Sequence, residues 1–171
     1  MRTTFSSLCL VILLSFLHQN PAKADLIDQT CGAANVLYKD LCQSTLRADP
    51  ASKSADIHGL ASIALAAASA DVKVVRRQIA ELLKSTSERF ALGALRDCDE
   101  NYSSAGEEID ESGPAMNERR YDDVNNLVSA AMTDADSCED GFKQGTSKLT
   151  QANEKFGHLC SNVLAISNQA A

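Results

Sequence analysis

Residues 57–82 read IHGLASIALAAASADVKVVRRQIAEL. Within this stretch Ile57, Ala61, Ala64, Ala68, Val72, Val75, Ile79 and Leu82 recur at steps of three and four, which puts them along one side of an α-helix. A seam built so largely of alanine leaves little side chain between the helix and its neighbour, so a close helix approach is expected. The pattern returns three times downstream. Ala91, Leu95, Cys98, Tyr102, Ala105 and Ile109 form a second seam; Val124, Val128, Ala131, Ala135, Cys138 and Phe142 a third; Leu149, Ala152, Phe156, Leu159, Val163 and Ile166 a fourth. No stretch alternates with period two for long enough to predict a strand, so the chain reads as all-α.

Breakers fall between the seams: Asp49-Pro50 before the first, Ser85 to Ser87 after it, Ser112-Gly113-Pro114 after the second, and Gly141 to Ser147 before the fourth. Short connections favour antiparallel neighbours, which predicts an up-down-up-down four-helix bundle over residues 52–168. Residues 25–48, with Leu26-Ile27 and Val36-Leu37 and with Cys31 and Cys42 flanking the second pair, read as a separate N-terminal hairpin of short helices.

Ahead of these, residues 1–24 carry Arg2, an apolar run from Leu8 to Leu17 and then Ala22-Lys23-Ala24, the pattern of a secretory signal peptide. The run is shorter than the ~20 apolar residues that span a bilayer, and no later stretch reads as a span. A secreted, extracellular domain over residues 25–171 is therefore expected, with no membrane partner. The full chain of 171 residues has a formal charge of −7; removal of the leader takes away Arg2, Lys23 and Cys9 and leaves 14 basic and 23 acidic residues with five cysteines. That balance of −9, read as a surface without a basic stripe, speaks against nucleic acid and anionic membrane and fits a basic partner better.

In an oxidising compartment cysteines pair. Cys98 and Cys138 occupy seam positions of the second and third helices, where antiparallel packing brings them within bridging distance. Closing that loop of roughly 40 residues is expected to stabilise the fold by ~4 kcal/mol, and closing Cys31–Cys42 by ~3 kcal/mol. Cys160, beside Leu159, is left as a buried free thiol.

Motifs for chemistry are missing. The sequence has no C-x-x-C, no G-x-S-x-G, no glycine-rich phosphate loop and no H-E-x-x-H, so no metal, cofactor or catalytic residue is expected. His58 and His158, the histidines left after the leader, lie at no ligand spacing and have no nucleophile placed beside them, which suits surface or capping roles. Asp134 to Gly141 has Cys138 in the fifth place and its glycine two places late for a calcium loop, and reads as a polar helix face. Glu107, Glu108, Asp110 and Glu111 read as an acidic run ending the second helix, first of all a solvated face; a partner-binding patch is the alternative, which the opposition of acid to the macrodipole there weakly favours. Asn101-Tyr102-Ser103 is a glycosylation sequon whose tyrosine lies on the seam.

Several stretches together carry a resemblance: the C-x10-C spacing within Ile27 to Cys42, Asp49-Pro50 followed by Ala55-Asp56-Ile57-His58-Gly59-Leu60, Cys98-Asp-Glu-Asn-Tyr102, Tyr121-Asp-Asp, Val128-Ser-Ala-Ala131 and Cys138-Glu-Asp-Gly-Phe142. Over residues 25–168 the chain resembles the plant family of pectin methylesterase inhibitors and invertase inhibitors. The resemblance implies a non-enzymatic protein of the apoplast that binds a cell-wall carbohydrate-active enzyme one-to-one, with disulfides Cys31–Cys42 and Cys98–Cys138. In the pectin methylesterase branch the bundle lies across the enzyme's pectin-binding cleft; in the invertase branch a Pro-Lys-Phe motif near the start of the third helix enters the sucrose pocket.

At that motif this chain has Arg119-Arg120-Tyr121, without the proline and with arginine, which is not a simple substitute for lysine at a fitted site. Leu159-Cys160 through Ile166-Ser167-Asn168 resembles the C-terminal stretch of the pectin methylesterase branch, unpaired cysteine included. Inhibition of pectin methylesterase is therefore the expected function; invertase inhibition is the alternative, and a fold relative with neither activity the third. The resemblance carries Arg120, Tyr121, Ser137 and Asp140 over as partner-binding candidates on exposed faces of the second and third bundle helices. A monomer is expected, with a dimer left open. Short links argue against a cytokine-like bundle, and an interhelical bridge against a lipid carrier that opens.

Overall fold

In the computed structural model residues 25–142 and 147–171 are described. Residues 1–24, where a leader is expected, and part of the Gly141–Ser147 connection lie outside them. Helices α1 (Leu26–Gly32), α2 (Lys39–Ala48), α3 (Ile57–Ser85), α4 (Arg89–Asn117), α5 (Tyr121–Asp140) and α6 (Thr150–Ala170) are joined by loops and one 3-10 turn, Pro50–Lys53, with no strand among the described residues.

Local chemistry sets the helix starts. Asp56 Oδ1 accepts the Gly59 N–H at 2.8 Å and opens α3. Glu88 accepts the N–H groups of Phe90 and Ala91 at 2.8 and 2.6 Å and opens α4. Those two backbone donors hold the Glu88 carboxyl below its ordinary pKa, because they favour the charged form.

Helices α3 and α5 each pack on α4 and α6, so α3 and α5 occupy opposite corners of a four-helix bundle. The seams face inward: Ala61, Ala64, Ala68, Val72, Val75 and Ile79 of α3 meet Cys98, Tyr102, Ala105 and Ile109 of α4, Val124 and Val128 of α5, and Phe156, Val163 and Ile166 of α6. Leu60 and Leu65 join this core from beside the alanine seam. Helices α1 and α2 form the hairpin, docked by Asn35 Nδ2 on the Ala165 carbonyl at 2.9 Å, Asn162 Nδ2 on the Tyr38 carbonyl at 3.2 Å, and the stacked rings of Tyr38 and His158. Cys31–Cys42 ties α1 to α2 and Cys98–Cys138 ties α4 to α5, with Cα separations of 5.7 and 4.5 Å; Cys160 is buried and free.

A buried polar cluster sits beside the second bridge. Tyr102 donates to Asn153 Oδ1 at 2.8 Å, Asn153 Nδ2 donates to Glu139 at 2.6 Å, and the Thr150 hydroxyl donates to Glu139 at 2.6 Å. It links α4, α5 and α6 through satisfied partners rather than bare apolar contact. Burial pushes the Tyr102 hydroxyl and the Cys160 thiol well above their ordinary pKa values, so both stay protonated.

Three expectations are corrected. Helix α4 does not stop at Ser112-Gly113-Pro114 but runs on to Asn117. An interior proline costs about 3 kcal/mol, and burial of Met116, 1 % exposed, together with Ala115 offsets it, since a methionine side chain alone contributes about 1.5–3 kcal/mol. Glu107 to Glu111 therefore lie inside α4, more than a turn from its end, and the macrodipole argument for them lapses. Finally, α3 is by length and composition apolar enough to cross a membrane, with a mean hydropathy of 1.3 over 18 residues. Its apolar side is the alanine seam packed on α4 and α6.

Candidate functional site

Charge is not spread evenly over the bundle. Helix α4 holds seven acidic residues and two arginines, and α5 holds six acidic residues and no basic one. Outside these two helices, residues 25–171 contain ten acidic and twelve basic residues. The whole excess of negative charge is therefore carried by one adjacent pair of helices.

On α5, Asp122, Asn126, Ser129, Thr133, Ser137 and Asp140 are exposed at helical spacing and form a stripe along its length. Thr133 donates to the Ser129 carbonyl at 3.0 Å and Ser137 to the Thr133 carbonyl at 2.9 Å, so their hydroxyl oxygens are held in place with acceptor positions outward. All six side chains are short. A surface of short side chains loses little rotamer entropy when a partner covers it, which suits a flat docking face.

The α4–α5 junction closes one end of this face. Helix α4 ends in a paired-bond cap: Arg119 N–H reaches the Met116 carbonyl at 3.0 Å and Arg120 N–H the Ala115 carbonyl at 2.9 Å. The geometry needs a left-handed residue, usually glycine, and here Arg119 adopts it with φ of 57°. Arg119 Nη1 donates to the Tyr121 hydroxyl at 3.3 Å, and that hydroxyl lies 3.0 Å from His58 Nδ1. Arg119 also approaches Asp56, the cap of α3, at 4.0 Å. The junction is thus tied to the start of α3.

The four sequence candidates divide into two pairs. Arg120 is exposed and bracketed by Glu118, at 2.7 Å, and Asp123. Tyr121 is 8 % exposed, so its ring fills the core edge and its hydroxyl positions Arg119 and His58. Ser137 and Asp140 stand one turn apart and exposed at the far end of α5, about 24 Å from Tyr121 at ~1.5 Å rise per residue. Arg119 and Asp56 are not singled out as site residues by the sequence, and His58, expected at the surface or as a cap, instead meets the Tyr121 hydroxyl. The Arg-Arg pair was the available signal, but a left-handed arginine cannot be read from residue type.

Between α4 and α5, Glu108 and Asp134 each hold a buried carboxylate oxygen with no hydrogen-bond partner. Burial raises both carboxyls above their ordinary pKa, and for Glu108 the charges of Asp134 and Glu111 add to it. Asn101 is half-buried in mid-α4. Among the described residues no group of three His, Cys, Asp or Glu is placed to hold a metal ion.

The chain is thus a disulfide-tied helical bundle with one acidic, hydroxyl-lined helix face, and no catalytic constellation is assembled among the described residues. The chain belongs to the plant invertase/pectin methylesterase inhibitor family, whose profile matches residues 25–166. It is 34 % identical to a pectinesterase inhibitor of Actinidia deliciosa, over 96 % of this chain and 91 % of the relative. It is 33 % identical to a putative invertase inhibitor of Platanus orientalis, over 97 % and 96 %. A crystal structure of a mutant pectin methylesterase inhibitor from Arabidopsis superposes with a TM-score of 0.73 at 23 % identity, covering 85 % of this chain and 97 % of that one, and shares the fold.

Proposed function

We propose that this chain is a secreted inhibitor of pectin methylesterase. The leader at residues 1–24 would direct export, and the domain over residues 25–171 would act in the apoplast as a one-to-one binder without turnover of its own. The observation that supports this reading most is the segregation of thirteen acidic residues and two arginines onto α4 and α5, in a chain 34 % identical to a pectinesterase inhibitor. An enzyme that binds a carboxylate-bearing polymer presents a cleft receptive to anions, and a rigid acidic face competes for it. In this reading the α5 stripe, with Ser137 and Asp140, lies over the cleft; Arg120 contacts its rim, and Tyr121 holds the junction in shape.

Invertase inhibition is the second reading, favoured by the 33 % identity to a putative invertase inhibitor and by the basic-basic-aromatic run Arg119-Arg120-Tyr121. Titrating the mature protein against a pectin methylesterase and an acid invertase in parallel separates the two. Loss of only the first activity at stoichiometric ratio is expected. Loss of only the second would transfer the assignment to invertase, and loss of neither would reduce it to a statement of fold.

A further inference from the structure

We propose that the groove between α3 and α6, on the side away from α5, is a second binding site, and that it takes a chain of uronic-acid sugars. The groove has a volume of about 560 Å³, and Asp71, Val74 and Gln78 of α3 line it opposite Lys148, Gln151 and Lys155 at the start of α6. Asp71 is 5 % exposed. One of its carboxylate oxygens takes the Lys155 ammonium, and the other, Oδ2, is buried without any hydrogen-bond partner. An unpartnered buried oxygen is costly, and the ion pair that ties α3 to α6 through Lys155 uses only the other one.

The rim supplies the complement. Gln78, Gln151 and Lys148 form no hydrogen bond or ion pair among the described residues, so two amides and an ammonium stand unused around an unused acceptor. Val74, a large apolar side chain 47 % exposed, lies between them. The set matches a sugar acid: ring C–H groups on Val74, hydroxyls donating to Asp71 Oδ2, amides bridging hydroxyls, and a carboxylate on Lys148. Lys155, held on Asp71 Oδ1 at the groove wall, completes the site by turning its ammonium onto the incoming carboxylate. The floor carboxylate selects hydroxyl donors and so disfavours inorganic phosphate.

The surroundings extend the positive field. The two acidic residues of α3, Asp71 and Glu81, are paired with Lys155 and Lys84, whereas Lys73 and Arg77 have no carboxylate partner among the described residues; Arg76 turns instead toward Gly106 of α4. Positive charge thus gathers on the corner opposite α5, which the composition alone concealed. The α5 carboxylates are the more distant from α3, since the axes of opposite corners stand about 14 Å apart for helices packed at ~10 Å, beyond the Debye length of about 8 Å at physiological salt, while the acidic α4 adjoins α3 and weakens the local positive field. The site would hold the inhibitor on the de-esterified polymer its target produces; that identification of the polymer rests on the pectin methylesterase reading, while the sugar-acid chemistry does not.

Calorimetric titration of the mature protein with oligogalacturonate, with its methyl ester, with a neutral oligosaccharide of equal length and with inorganic phosphate tests the proposal. The free acid should bind, with the other three at least tenfold weaker. Lys148→Glu and the pair Gln78→Ala/Gln151→Ala, each with an unchanged melting curve, should weaken that binding at least tenfold. Complex formation with the enzyme in the absence of pectin, followed by surface plasmon resonance, should not change in either variant. No binding of the free acid, equal binding of ester or phosphate, or wild-type affinity in both variants would overturn it. If oligogalacturonate binds but no enzyme is inhibited, the groove stands and the inhibitor reading fails; the converse result removes the groove alone.

Discussion

At the scale of single residues, the junction between α4 and α5 holds the clearest conflict between local preference and position. Arg119 takes the left-handed conformation that the helix cap demands, at a cost of about 1–2 kcal/mol for a residue with a Cβ. Glycine would remove that cost, yet arginine is there, reaching the Tyr121 hydroxyl and Asp56. Backbone strain of this kind is retained where the side chain has a use. Arg119→Gly is accordingly expected to raise stability by about 1 kcal/mol, read as a higher Tm, while weakening the complex with the target enzyme. A variant that lost stability, or that bound the enzyme as tightly as the parent, would show that Arg119 serves only the fold. Tyr121 belongs to the same set: its place in the sequence was legible as a partner-binding candidate, but not its burial, which depends on His58 arriving from the start of α3.

Elements were more legible than residues. The four seams are visible because burial imposes a 3.6-residue period, and Cys98 and Cys138 lie on two of them for the same reason. The end of α4 was not legible: Gly113-Pro114 is a sound local stop signal, and tertiary burial of Ala115 and Met116 overrides it. Nor could the pairing of Glu108 with Asp134 be seen, because it depends on the relative rotation of α4 and α5. That pair has a measurable consequence. Both carboxyls are raised on folding, so the folded chain binds protons more tightly there than the unfolded one does. Their contribution to stability is complete below the ordinary carboxylate range and is lost as pH rises through the raised values. Asp134→Asn, neutral at every pH, should therefore raise Tm by a few degrees at pH 7 and change it little near pH 4. Glu88 responds in the opposite sense, since its folded pKa is lowered, so the informative quantity is the difference between variant and parent at each pH. An equal loss of Tm at both pH values would mean that packing against Asp134, not its charge, governs the site.

At the scale of the whole molecule, the formal charge is the quantity that misled most, because a sum has no direction. Composition suggested an acidic surface without a basic stripe, whereas folding sends the acidic excess to α4 and α5 and leaves α3, on the corner opposite α5, with Lys73 and Arg77 unpaired among the described residues. Such a molecule has an orientation in an electric field, and an approaching enzyme with a positive cleft meets the α4–α5 face first. Steering of this kind acts on the rate of association far more than on dissociation. The pair Asp122→Asn/Asp136→Asn should slow association with the target severalfold at low salt and leave dissociation nearly unchanged, with the difference from the parent shrinking as salt rises. Lys73→Gln/Arg77→Gln makes the net charge more negative, yet it alters the face turned away and should leave association almost unaffected at physiological salt. Stopped-flow measurement over a salt series separates the two cases. If both double variants shift the association rate in proportion to their change in net charge, with opposite signs, then the total charge steers the encounter and the arrangement of that charge does not.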